Sequence, residues 1–388
     1  MIWGRISYMY LARDNGIKRL NEYLEVFAVV AILGPRQCGK TTLVKLFIEG
    51  LRKKKQIHFF DLEDQYDLAQ LENPQLALED LTGYVIIDEI QRRPEIFPVL
   101  RVLADKKKHD TQFIILGSAS RDLINQSSET LAGRIGYIEL TPFSISNIDS
   151  VEKLWLRGGF PLSYLAKNQS ASFLWRKEYI KTFLERDIPN LGIKIPARTL
   201  NQFWQMLAHF HGQTFNASQL ATSLQVSGPT VKNYLNILSG TFMIRQLQPF
   251  FINTKKRLVK APKIYFRDSG IFHALLNLET KESIKSHPML GASWEGFALE
   301  EFIRKQELRE DECFFWSVHN GPEIDLVYEK NGKRYGCELK YSDSPKATNS
   351  MFSAIEELGL EKITVIYPGK KKFLLDERIE VRGIESLK

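Results

Sequence analysis

The segment Gly34-Pro-Arg-Gln-Cys-Gly39-Lys40-Thr41 fits the spacing G-x-x-x-x-G-K-[ST] without a mismatch. No other feature constrains this chain as tightly, because such a loop works only between a buried strand and the first turn of a helix. Both flanks are present. The run from Val26 to Leu33 is β-branched and apolar, and from Thr42 to Arg52 the residues Leu43, Leu46, Phe47 and Leu51 recur at helical spacing. In that setting the glycines let backbone N–H groups converge on phosphates, with the positive end of the helix dipole behind them. Lys40 would neutralise β- and γ-phosphate charge and the Thr41 hydroxyl would hold Mg²⁺. Gly34, Pro35, Arg36, Gln37, Cys38, Gly39 and Thr42 would complete the cup, so ATP and Mg²⁺ are the expected cofactors.

Further apolar runs at Ile57–Phe60, Tyr84–Ile87 and Phe113–Leu116 alternate with helical stretches, the pattern of an α/β parallel sheet with helices on both faces. The second run continues into Asp88-Glu89, which places two carboxylates at the carboxyl edge of a strand, where open parallel sheets bind ligands. Asp88 is expected to help hold Mg²⁺, and Glu89 to act as general base toward a water. Ser118 ends the third run, where it could sense a γ-phosphate. Arg134, in Leu131-Ala-Gly-Arg134, offers a guanidinium suited to spread phosphoryl charge; if it acts on a neighbouring copy, the working form is a homo-oligomer.

With 388 residues the chain has room for two to three domains, and we place them at 20–150, 151–248 and 249–388. Its 44% hydrophobic and 26% charged content are those of a folded chain, and the net charge of +7 makes it mildly basic. The longest apolar run falls far short of the ~20 residues of a membrane span. Met1–Gly16 lacks an unbroken apolar stretch and a small-residue cleavage site. Three scattered cysteines supply neither a disulfide framework nor a zinc cluster. The expectation is a cytoplasmic protein without a membrane partner.

The chain resembles the prokaryotic AAA-class P-loop ATPases fused to a C-terminal domain of unknown function. The residues that carry the likeness are Gly34–Thr42, Val85–Gln91, Leu116–Ser120, Leu131–Arg134, Gly158–Pro161 and Glu185–Ile188. The resemblance implies an AAA-type ATPase domain and allows Arg157 as a second arginine near the nucleotide.

In the middle of the chain, Asn216–Leu224 and Pro229–Leu238 read as two short amphipathic helices around a Gly-containing turn, a helix-turn-helix pattern with Ser227 as N-cap. Lys232 and Asn233 lie off the apolar face of the second helix. From Arg245 to Arg267 the residues Arg245, Lys255, Lys256, Arg257, Lys260, Lys263 and Arg267 run without an intervening acid, like the wing of a winged helix. DNA is therefore an expected partner, touched by Lys232, Asn233, Lys255, Lys256, Arg257 and Lys260. His209 and His211 point to different sides of a helix and have no partner cluster, so no metal is expected there.

The stretch from Glu323 to Lys340 reads as a β-hairpin around Asn331-Gly332, the strongest short turn signal. A two-residue turn sets Asp325 across from Glu338 and Glu323 across from Lys340, all on one face. Opposed like charges destabilise a sheet, so a divalent ion is expected to offset them. Asp, twelve residues, then Glu-x-Lys also resembles the core of the PD-(D/E)XK nuclease fold. That resemblance implies an α+β C-terminal domain with Mg²⁺ held by Glu295, Asp325 and Glu338, and with Lys340 stabilising charge. Three functions follow as expectations: an ATP-hydrolysing, DNA-associated switch; the same engine with an active Mg²⁺-dependent nuclease; or a nucleotide-gated protein scaffold without nucleic acid.

Overall fold

The structure is a computed structural model that describes residues 13–51, 55–106, 111–120, 131–251, 259–319 and 321–388. The chain forms two compact units, one of residues 1–142, 185–194 and 240–243, the other of residues 143–184, 195–239 and 244–388.

The first unit is built on five strands: β1 (Val29–Leu33), β2 (Ile57–Asp61), β3 (Gly83–Asp88), β4 (Thr111–Gly117) and β5 (Ile135–Glu139). They pair in the order β2-β3-β4-β1-β5, and every pair is parallel. Successive residues of a strand point to opposite faces, and both faces here are covered. Val29, Ala31 and Leu33 join Val85, Ile87, Phe113 and Ile115 on one side. Val30 and Ile32 join Ile86, Ile114 and Leu116 on the other, against Leu43, Val44 and Phe47 of helix Lys40–Gly50. This two-sided burial is why the strands read as unbroken apolar runs rather than alternating ones.

Strand β5 was not foreseen. Its Gly136 and half-buried Tyr137 interrupt the apolar run, so Ile135–Glu139 carries a weak strand signal. Yet it pairs with β1 from Val29–Ile135 to Leu33–Glu139 and closes one edge of the sheet.

The second unit holds nine strands in the order β13-β14-β12-β11-β10-β9-β7-β8-β6. These are β6 (Gln213–Thr214), β7 (Ile244–Pro249), β8 (Lys263–Phe266), β9 (Cys313–Ser317), β10 (Glu323–Lys330), β11 (Lys333–Leu339), β12 (Lys362–Tyr367), β13 (Lys372–Asp376) and β14 (Ile379–Gly383). Helices Ala217–Leu224 and Gly228–Gly240 precede β7, and the Ser227 hydroxyl accepts from the Thr230 N–H at 3.2 Å, as an N-cap should. Helix Asn349–Leu358 sends Met351, Ala354, Ile355 and Leu358 onto Ile324, Val327, Ile363, Val365, Ile379 and Val381 of the sheet. No helix of the described residues is long and apolar enough to cross a membrane.

Candidate nucleotide and carboxylate sites

The loop after β1 has the conformation its sequence requires. Gly39 sits at φ +100°, a region closed to most side chains, and caps the N-terminus of helix Lys40–Gly50. Lys40 is buried and donates to the carbonyls of Gly34 at 2.9 Å and Pro35 at 3.0 Å. Arg13 steadies the loop from outside, donating to the carbonyls of Cys38 and of Thr141. The Cys38 thiol is fully buried and donates to the Leu140 carbonyl at 3.4 Å, out of reach of solvent oxidants.

Asp88 ends β3 beside this loop. Its Oδ2 accepts the Thr41 hydroxyl at 2.6 Å, and its Oδ1 accepts the Glu89 N–H at 2.9 Å. Burial raises the Asp88 pKa, and the Thr41 hydrogen bond works against that rise. Glu89 takes a left-handed turn at φ 56° that ends the strand. Its carboxylate is held by the Gln91 amide and, at 3.3 Å, by the Ser118 hydroxyl, while Gln91 also donates to Ser118 at 2.9 Å. Lys40, Thr41, Asp88, Glu89 and Ser118 thus belong to one constellation at the carboxyl edge of the sheet. Gln91 joins it; the sequence placed Gln91 in the motif but gave it no role.

Arg36 does not point into an open cup. It donates to Asp187 at 2.7 Å and to Glu63, joining the loop to residues 63 and 187. Burial lifts the Asp187 carboxyl to about 6, with Arg36 pulling the other way.

Arg134 is not brought to the loop. The Val29 N–H donates to the Arg134 carbonyl at 3.2 Å, so Arg134 lies where β1 begins, whereas Gly34 lies where it ends. The two edges are separated by roughly the ~3.3 Å rise of each intervening residue. The guanidinium instead pairs with Asp105 at 2.5 Å on the surface. Within its own chain Arg134 therefore lies at the opposite edge of the sheet from the loop, which leaves the expected phosphoryl role to action on a neighbouring copy. Arg157 donates to Gln169 and to the carbonyls of Tyr164 and Ala166.

The C-terminal hairpin has the expected register. Pairing runs from Leu326–Cys337 to Lys330–Lys333, with Asn331 and Gly332 at φ 52° and 71° in the turn. Asp325 and Glu338 meet as foreseen: the Asp325 N–H donates to Glu338 Oε2 at 3.4 Å, and Asp325 Oδ2 accepts the Leu339 N–H at 2.9 Å. Lys340 pairs with Glu338 at 2.6 Å. Glu295, on helix Leu290–Gln306, accepts the Tyr265 hydroxyl at 2.6 Å. Burial, then the Asp325 charge, raises Glu295 to about 7 and Glu338 to about 8.

Glu323 is bound not by Lys340 but by Lys263, which also lies 3.8 Å from Asp325 Oδ1. Burial alone would lower the Lys263 pKa, but Asp325, Glu295 and Glu323 outweigh it and raise it. Lys263 and Tyr265 are two apart on β8 and share a face, which delivers both to the carboxylates. In the sequence Lys263 belongs to the acid-free basic stretch that reads like the wing of a winged helix. Arg245 and Arg267 of that stretch are likewise turned inward, onto the buried Glu300. Of the expected DNA-contacting residues, Lys232, Asn233 and Lys260 are exposed, while Lys255, Lys256 and Arg257 lie outside the described residues. His211 is buried, accepts the Phe266 N–H at 3.0 Å and stacks on Phe272.

Comparison with known proteins finds three successive family matches. An AAA domain matches residues 26–148, a domain of unknown function (DUF8612) residues 148–282, and another (DUF4143) residues 290–387. An uncharacterized protein of Mycobacterium tuberculosis is 42% identical over 377 residues, covering 97% of this chain and 84% of that protein. An uncharacterized protein of Mycobacterium bovis matches with the same figures. Among solved structures, a Walker-type ATPase of Pyrococcus abyssi is 16% identical, with 69% of this chain and 96% of that chain covered and a TM-score of 0.48. The chain therefore belongs to the family of these mycobacterial proteins, represented here by an AAA domain followed by two domains of unknown function.

Proposed function

We propose that the chain binds and hydrolyses ATP at the loop 34–41 and uses that turnover as a DNA-associated switch. The observation that carries the reading is the convergence of Lys40, Thr41, Asp88, Glu89 and Ser118 at one sheet edge. Among the described residues Lys40 donates to two neutral carbonyls, and a triphosphate offers its ammonium stronger, charged acceptors. The Thr41 hydroxyl and the Asp88 carboxylate already touch, and this hard-oxygen pair fits Mg²⁺, which when bound neutralises phosphate charge. Glu89, oriented by Ser118 and Gln91, takes the proton of the attacking water as its oxygen bonds to the γ-phosphorus and the bond to the leaving diphosphate breaks.

The DNA part of the reading rests on the two helices Ala217–Leu224 and Gly228–Gly240 and on the exposed Lys232, Asn233 and Lys260. Salt-dependent binding to duplex DNA that weakens when Lys232 and Lys260 are reversed in charge supports it. Binding that is absent at low salt, with ATP turnover intact, favours the scaffold reading instead.

The decisive experiment is phosphate release by the full chain and by Lys40→Ala. Loss of roughly 10²-fold or more in kcat/KM is expected, since a charge-stabilising cation of a phosphoryl site is removed. Wild-type turnover in Lys40→Ala overturns the reading.

A further inference from the structure

The hairpin register, with Asp325 beside Glu338 and with Glu295 bonded to Tyr265 on β8, the strand that also carries Lys263, is the observation that favours a nuclease-like metal centre. The donor set, however, does not fit one. Among the described residues no group of three or more His, Cys, Asp or Glu side chains is arranged to hold a metal ion. The reason is visible atom by atom. Glu295 Oε1 is taken by the Tyr265 hydroxyl, Asp325 Oδ2 by the Leu339 N–H, and Glu338 Oε1 by Lys340. Lys263 is bonded to Glu323 and lies 3.8 Å from Asp325 Oδ1.

The two lysines differ in what they can give up. The Lys340 side chain is 39% exposed and can swing into solvent, whereas that of Lys263 is 5% exposed. Lys263 also comes from β8, outside the Asp–Glu-x-Lys segment whose likeness implied the metal. A divalent ion on Asp325 would sit within a few ångströms of a buried ammonium with little water to screen the repulsion.

We propose that Lys263 is the resident cation of this centre and keeps closed a latent divalent-cation site formed by Glu295, Asp325 and Glu338. In the native chain the carboxylates are neutralised by the protein's own ammonium groups, and metal-dependent cleavage of nucleic acid does not proceed through them. Replacing Lys263 by an apolar side chain of similar length removes the competing charge and frees Asp325 and Glu323 together.

The test uses the full, nucleotide-free chain and Mn²⁺ alone as probe, followed by calorimetry and by thermal unfolding. Native protein and Asp325→Asn should give the same weak background. Lys263→Met should bind Mn²⁺ roughly tenfold or more tighter than native, and the gain should vanish in Lys263→Met combined with Asp325→Asn. Mn²⁺ binding by the native chain that Asp325→Asn abolishes overturns the proposal, as does a folded Lys263→Met that gains no affinity. Should Lys263→Met fold only with Mn²⁺ present, that metal-dependent melting is itself the expected gain. If it does not fold at all, the native and Asp325→Asn comparison decides alone. Because Lys40→Ala is not used, failure here leaves the nucleotide reading intact, and the converse holds.

Discussion

Lys40 and Lys263 are both buried ammonium groups, 5% and 4% exposed, each next to acidic residues, yet their acceptors differ in kind. Lys40 bonds two backbone carbonyls, whereas Lys263 bonds or approaches carboxylates. A cation satisfied by neutral oxygens has something to gain from an incoming polyphosphate. A cation already paired with carboxylates in a dry site has nothing to gain, and it leaves uncompensated charge behind if it moves. The first region is arranged to exchange partners and the second to keep them.

Three measurements can break or sharpen this contrast. The largest effect is expected at the exchangeable site: Glu89→Gln should lower ATP turnover by about 10²–10⁴-fold. Binding should persist, because Lys40 and Thr41 are untouched, and nucleotide titration beside a phosphate-release assay separates the two. Loss of binding together with turnover would mean that Glu89 holds the loop's shape rather than a proton.

At the closed centre, Glu338 is raised from 4.5 to about 8 chiefly by burial. A carboxyl whose folded value lies above its unfolded one stabilises the fold at low pH, and that contribution is lost as pH rises through about 8. The melting temperature of the native chain relative to Glu338→Gln should therefore fall, by about 2–4 °C between pH 5 and 9. A difference that stays constant over this range would show the ionised form to be fully compensated by Lys340.

The smallest effect is expected at Arg134. Its surface pair with Asp105 predicts that Arg134→Ala changes turnover by about twofold or less. A large loss that depends on protein concentration would instead show the side chain acting on a neighbouring copy.

How far each region could be read from sequence follows from the range of the contacts. The phosphate loop, the Asp88-Glu89 strand end and the hairpin register are set by neighbours a few residues apart, where glycine position, strand period and turn type decide the geometry. The position of Arg134 depends on β5, whose signal is weak: once Ile135–Glu139 is a parallel strand, the residue before it must lie at the amino edge. Lys263 reaches Glu323 and Asp325 across some sixty residues of chain, and Arg36 reaches Asp187 across 151. No local period encodes such meetings. An uninterrupted basic stretch is ambiguous for the same reason, since burial decides whether Arg245, Lys263 and Arg267 face water or acid.

The Asn331-Gly332 tip has one further consequence. Side chains alternate along both arms, so a slip of one arm by a single residue would turn its side chains to the other face and part Asp325 from Glu338. A longer turn can absorb an insertion at the tip without such a slip. Among relatives of this chain, the acidic pair should therefore tolerate changes of length at the tip and be lost where one arm alone is lengthened, a rule that can be checked without purifying a single protein.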